Sequence, residues 1–233
     1  MGANKSTSLI LLFSLFAFSL DAQQFNGAWT RNTDSAVQYL TIIDNYFSVA
    51  TFNVAERKFI STTGGTATIS KGSMSGVIEF NSADKNAVRA AYNYPIKKRG
   101  KKLQLDIDGA SVSWEQVDPG NGALSGNWKI IGREIDGKMN TIVPGLRKTI
   151  KILSASRFQW VALNSGTGEF FGTGGGTYTF KDGKYIEQIE FFSRDASRVG
   201  ASLGFTAELK DGDWHHAGLS SKGDRIYEIW TRK

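Results

Sequence analysis

Apolar and polar residues alternate one by one along much of the chain. Tyr39-Leu40-Thr41-Ile42-Ile43, Thr177-Tyr178-Thr179-Phe180 and Phe205-Thr206-Ala207-Glu208-Leu209 all have this two-residue period, which predicts half-buried β-strands. The pairs Lys71-Gly72, Asp182-Gly183 and Asp211-Gly212 punctuate them and predict tight hairpin turns. Ala83 to Ala91 is expected to form a short helix; no long amphipathic helix is expected. One segment breaks the alternation. Leu9 to Leu20 is continuously apolar apart from two serines, and it is shorter than the roughly 20 residues that a membrane-spanning helix needs. With Lys5 before it and Ala22 after it, it reads as a secretory signal. Residues 1–22 are expected to be removed, leaving a mature chain that begins at Gln23 and is secreted or periplasmic. No second apolar run of that length follows, so no transmembrane segment is expected in the mature chain.

The chain also repeats itself. Gly64-Gly65-Thr66-Ala67-Thr68-Ile69 through Ile78-Glu79-Phe80 aligns without a gap with Gly175-Gly176-Thr177-Tyr178-Thr179-Phe180 through Ile189-Glu190-Phe191, with 8 of 17 positions identical. Upstream, Gly27-Ala28-Trp29 matches Gly126-Asn127-Trp128; downstream, Ser113-Trp114 matches Ile229-Trp230. The turn-rich segment Asp118-Pro119-Gly120-Asn121-Gly122 separates the copies, which predicts domains at 23–118 and 123–233. A meander this short has two exposed edges, and closing it into a barrel removes them. The expected fold is therefore all-β: two small antiparallel up-and-down barrels in tandem.

Gly-x-Trp on the first strand of each copy resembles the lipocalin-like (calycin) pattern. Gly174-Gly175-Gly176-Thr177-Tyr178, Glu187-Gln188-Ile189-Glu190-Phe191 and Trp214-His215-His216-Ala217-Gly218 resemble lipocalin-like domains of exported bacterial proteins of unassigned activity. The resemblance implies that Trp128 closes the floor of the second barrel and that Arg232 packs across it. The first copy departs from the pattern, with Gln116 in the place of Arg232 and no histidines.

The hairpins set the register. A two-residue turn at Asp211-Gly212 pairs Leu209 with Trp214, Glu208 with His215 and Ala207 with His216. Paired residues share a face, so Trp214 and His216 are expected inside and His215 outside. At Asp182-Gly183, Phe180 pairs with Tyr185 and Tyr178 with Glu187. The second barrel should therefore hold a carboxylate and an imidazole among aromatic rings. Trp128, Tyr178, Tyr185, Glu187, Phe205, Trp214 and His216 are the candidate ligand-binding residues, with Arg157 and Arg194 nearer the rim. Gly76 stands at the Glu187 position of the first copy, which cannot repeat that chemistry.

Composition narrows the function. The chain lacks Cys, which excludes disulfides, thiolate nucleophiles and thiolate metal sites. Only His215 and His216 are histidines, and neighbours on a strand face opposite ways, so a three-histidine zinc site is excluded; a single axial ligand to haem through His216 stays open. Gly172-Thr173-Gly174-Gly175-Gly176 lacks the ending of a phosphate loop and reads as a strand bulge. The formal net charge is +6, and its densest run, Lys97-Lys98-Arg99-Gly100-Lys101-Lys102, reads as an exposed turn. It has no interleaved aromatics to stack bases, so nucleic acid is not expected as a partner.

Three functional readings follow. The leading one is an exported binding protein with no enzymatic activity, no metal and no cofactor. It would hold a small amphipathic or hydrophobic ligand in the second barrel, with Glu187 and His216 at the polar end. The alternative is an extracytoplasmic enzyme using Glu187 and His216 as an acid–base pair on a small molecule or glycan. The third is an interaction protein with filled barrels.

Overall fold

The computed structural model describes residues 23–143 and 145–232; the expected signal segment at 1–22 lies outside them. The fold is all-β, two closed eight-stranded antiparallel barrels in tandem. The first comprises β1 (Gly27–Asn32), β2 (Val37–Ile43), β3 (Tyr46–Asn53), β4 (Lys58–Thr66), its short continuation β5 (Thr68–Ser70), β6 (Ser73–Asn81), β7 (Ala91–Arg99), β8 (Lys102–Ile107) and β9 (Ala110–Asp118). Each strand pairs with its neighbour, and β9 returns to β1 to close the barrel. The second repeats this order. It comprises β10 (Gly126–Ile135), β11 (Lys138–Thr141), β12 (Arg147–Leu153), β13 (Arg157–Asn164), β14 (Glu169–Lys181), β15 (Lys184–Phe192), β16 (Ser202–Lys210), β17 (Asp213–Leu219) and β18 (Arg225–Arg232), and β18 closes on β10. Strand β11 is an addition; it pairs only with the end of β10 as a flap hairpin. Among the described residues no helix is long and apolar enough to cross a membrane. The helix expected over Ala83 to Ala91 is a single 3-10 turn, Lys85–Ala87, capped by the Asp84 side chain.

The repeated sequence signatures have steric causes. Asp182 and Gly183 both have positive φ, at 50° and 72°, the conformation that a two-residue hairpin of this twist demands. Gly27 and Gly126 precede the floor tryptophans. A Cβ on Gly27 would lie 2.1 Å from the Asp118 carbonyl oxygen, so only glycine lets the last strand close against the first. Both indole N–H groups donate to a carbonyl four residues back, Trp29 to Phe25 and Trp128 to Leu124. Gly65 and Gly176 mark the same β-bulge in each copy.

Each barrel has its own core. Trp29, Leu40, Phe47, Ile96, Leu103 and Trp114 fill the first; Trp128, Phe158, Tyr178, Tyr185, Trp214 and Trp230 fill the second. Two further clusters lie between the barrels and draw on both. Ile43, Tyr46 and Phe80 pack on Ile150, Ile152, Val161 and Leu163, while Ala50 and Phe52 pack on Phe191. Phe80 and Phe191 hold matching places in the two copies, so the contact approximates a two-fold. It explains why β2 and β12 end in runs with no exposed face: Ile150 and Ile152 face the other barrel, while Lys151 and Leu153 face inward.

Asp118 fastens the linker. Its carboxylate accepts from the Gly120 N–H at 2.9 Å, the Ser154 hydroxyl at 2.7 Å, the Ala155 and Ser156 N–H groups at 3.0 and 3.1 Å, and the Ser156 hydroxyl at 2.6 Å. Burial works against its charge, but these donors outweigh that cost and hold its pKa below the usual value.

Candidate functional site

The second barrel opens at the end where Arg133 and Glu134 of β10, Arg147 of β12 and the loop between β17 and β18 come together. A cavity of about 540 Å³ descends from this mouth. Its walls are Trp160, Phe171, Ile189, Phe192, Phe205 and Trp230; at depth it meets Lys151, Glu187, His216 and Glu228.

The hairpin registers follow the sequence reading. Ala207 pairs with His216, Leu209 with Trp214, Phe180 with Tyr185 and Tyr178 with Glu187. Trp214 and His216 are buried, at 0% and 1% exposure. His215 lies on the outer face, its Nδ1 2.7 Å from the Tyr227 hydroxyl. Leu209, expected on the inner face, is 44% exposed because it sits at the barrel end.

Of the seven candidate residues, Glu187, Phe205 and His216 line the cavity. Trp128, Tyr178, Tyr185 and Trp214 pack in the core beneath it. Arg194 is at the mouth. Arg157 is elsewhere: it is buried between the barrels, stacks its guanidinium 3.2 Å from the centroid of Tyr39 and pairs with Glu190.

Two residues escaped the sequence reading, and both carry charge. Lys151 projects inward from β12, with its ammonium 2.9 Å from Glu187 Oε1. The Tyr185 hydroxyl donates to the same oxygen at 2.9 Å. Four ring centroids surround the ammonium: Trp214 at 5.0 Å, Tyr185 at 5.3 Å, Trp230 at 5.4 Å and Phe205 at 5.9 Å. Their π faces compensate for part of the hydration the cation has lost. Glu228 projects inward from β18. Arg133 donates to its Oε1 through Nε at 3.1 Å and Nη2 at 2.7 Å, and the Trp230 indole donates to Oε2 at 3.2 Å. The signal for both was charge breaking an inward-facing apolar pattern: Lys151 stands where the first copy has Leu40, and Glu228 is two residues from Trp230 and so on its face.

The electrostatics follow from these partners. Burial alone would raise the Glu228 carboxyl, but the adjacent His216, Lys151 and Arg133 overcome it and hold the group at about 2. Burial, and then the Lys151 ammonium, lower His216 from its ordinary 6.5, so the imidazole is neutral at neutral pH. Burial and the Glu187 charge push the Tyr185 hydroxyl well above its ordinary value.

His216 differs from Lys151, Glu187 and Glu228. Its Nδ1 lies 3.6 Å from Glu228 Oε2, longer than a hydrogen bond. Neither ring nitrogen has a hydrogen-bond partner among the described residues. Phe205 stacks on the ring at 4.2 Å between centroids, and Trp214 and Tyr185 meet it edge-on. The imidazole is thus fixed in orientation, with Nδ1 turned toward Glu228 and Nε2 left over.

The described residues contain no cluster of three or more His, Cys, Asp or Glu side chains arranged to hold a metal ion. No protein-family model matches the chain, and no curated protein does.

Proposed function

We propose that this is an exported binding protein whose second barrel takes up a small amphipathic ligand, with the first barrel as a structural companion. One observation carries the reading: a deep, aromatic-walled cavity meets a small set of convergent polar groups, the usual form of a small-molecule site. The duplication adds weight. At the positions of Lys151, Glu187, His216 and Glu228 the first barrel has Leu40, Gly76, Leu105 and Val112, a set with no ligand-orienting group. The apolar, signal-like sequence of residues 9–20 supports export, and the fold is compatible with a lipocalin-like ancestry.

Acid–base catalysis by Glu187 and His216 is less favoured. Glu187 Oε1 is already occupied by two donors, so such chemistry would fall to His216 and Glu228 instead.

The test is native mass spectrometry of the protein purified from its own host. A small molecule released on denaturation is expected, and Leu203→Trp, which fills the cavity, should reduce its occupancy at least fivefold. An empty wild-type protein that also fails to bind anilinonaphthalene sulfonate would overturn the proposal.

A further inference from the structure

The charges at the cavity floor cancel in pairs. Lys151 neutralises Glu187 within 2.9 Å, and Arg133 neutralises Glu228 within 2.7 Å. A ligand bringing a carboxylate or an ammonium to this depth would have to break one of these pairs or remain buried without a counter-charge, and either course is costly. What the floor leaves unused is the hydrogen-bonding capacity of His216. A neutral imidazole has one N–H donor and one ring-nitrogen acceptor. Burial and the neighbouring ammonium keep it in that form. The groups packed around it are Glu228, Lys151, Glu187 and the rings of Tyr185, Phe205 and Trp214. The rings hold its plane, and Nδ1 lies against Glu228 Oε2 at 3.6 Å, so a ligand in the cavity meets the imidazole at Nε2.

We propose that the buried end of the ligand is an uncharged hydrogen-bonding group, such as a hydroxyl or a primary carboxamide, and that His216 is the residue that reads it. This rests on the ligand-binding function proposed above and narrows it to a class of head group. An anionic substituent is accommodated only at the opposite end of the ligand. There, at the mouth, Arg147, Arg194 and Arg225 line the opening and form no ion pair among the described residues.

The head group can be tested with four probes that share one alkyl chain: octanol, octanamide, octanoate and octylammonium. Their dissociation constants would be measured by calorimetry on the full mature chain at neutral pH. Octanol and octanamide are expected to bind at least tenfold more tightly than octanoate or octylammonium. His216→Leu should weaken octanamide at least tenfold more than it weakens toluene, as read by displacement of anilinonaphthalene sulfonate. His216→Gln, which keeps a donor and an acceptor, should restore part of the loss. Equal affinities for all four probes, or tightest binding of octanoate, would overturn the head-group inference while leaving the binding function standing. Failure of every probe, toluene included, would remove both.

Discussion

The two barrels share a strand order, a floor tryptophan and a bulged glycine pair, yet their interiors obey opposite rules. In the first barrel the positions facing Trp29 and Trp114 are Leu40 and Leu103. These are apolar contacts that need no partner, and hydrophobic burial suffices to hold them. In the second barrel, Trp128 faces Lys151 and Trp230 faces Trp214, and the centre is a network of ions and rings. Such a network stabilises only as a complete set, because one buried charge without its partner costs more than the pair contributes. The duplicated backbone tolerates either solution. One copy keeps a simple core, and the other uses its interior to present His216.

The sharpest way to break this contrast is to put the second barrel's charge into the first. Leu40→Lys places an ammonium at a site 1% exposed with no carboxylate at the matching Gly76. The amine should lose its proton at a cost of about 4–7 kcal/mol, the equivalent of three to five pKa units. Equilibrium denaturation should show the first barrel unfolding before the second. A loss below about 1 kcal/mol would mean that the two interiors are not as different as described.

The converse change is smaller. Lys151→Leu strands Glu187 and should destabilise the protein by about 3–5 kcal/mol. Adding Glu187→Gln removes the stranded charge and still gives the Tyr185 hydroxyl an acceptor, so the double variant should recover more than half of that loss. If the double variant proved as unstable as the single, the ion pair would not be what sets the second barrel apart.

Acid provides the mildest probe. The folded pKa of Glu228 is about 2, below its ordinary 4.5. Its contribution to stability, about 3 kcal/mol by linkage, is therefore fully present above pH 4.5 and is lost as the pH falls toward 2. His216 is a base with a lowered folded pKa, so its protonation favours the unfolded chain, and that loss begins as the pH drops below 6.5. Leu105 and Val112 occupy these places in the first barrel and do not titrate. The second barrel should unfold first on acidification, as followed by backbone hydrogen exchange, and Glu228→Gln should flatten the lower part of the profile.

Much of this was legible in the chain. The alternation around Tyr178, Glu187, Ala207 and His216, with Asp-Gly at the turns, determined the strands, their register and the inward direction of His216. These follow from local stereochemistry: side chains alternate across a strand, and the two-residue turn fixes which residues face each other. The Gly-x-Trp and Gly-Gly signatures determined the duplication and the closure of each barrel. Only the tertiary structure decided how the buried charges pair, which places Lys151 with Glu187 and Arg133 with Glu228. It alone decided that Ile150, Ile152 and Phe191 turn outward into a contact between barrels, and that Trp128, Tyr178, Tyr185 and Trp214 lie under the cavity. Those outcomes depend on bringing distant strands together by closing and docking two sheets, and a two-residue period carries no record of which far segment will complete a charge or cover a face.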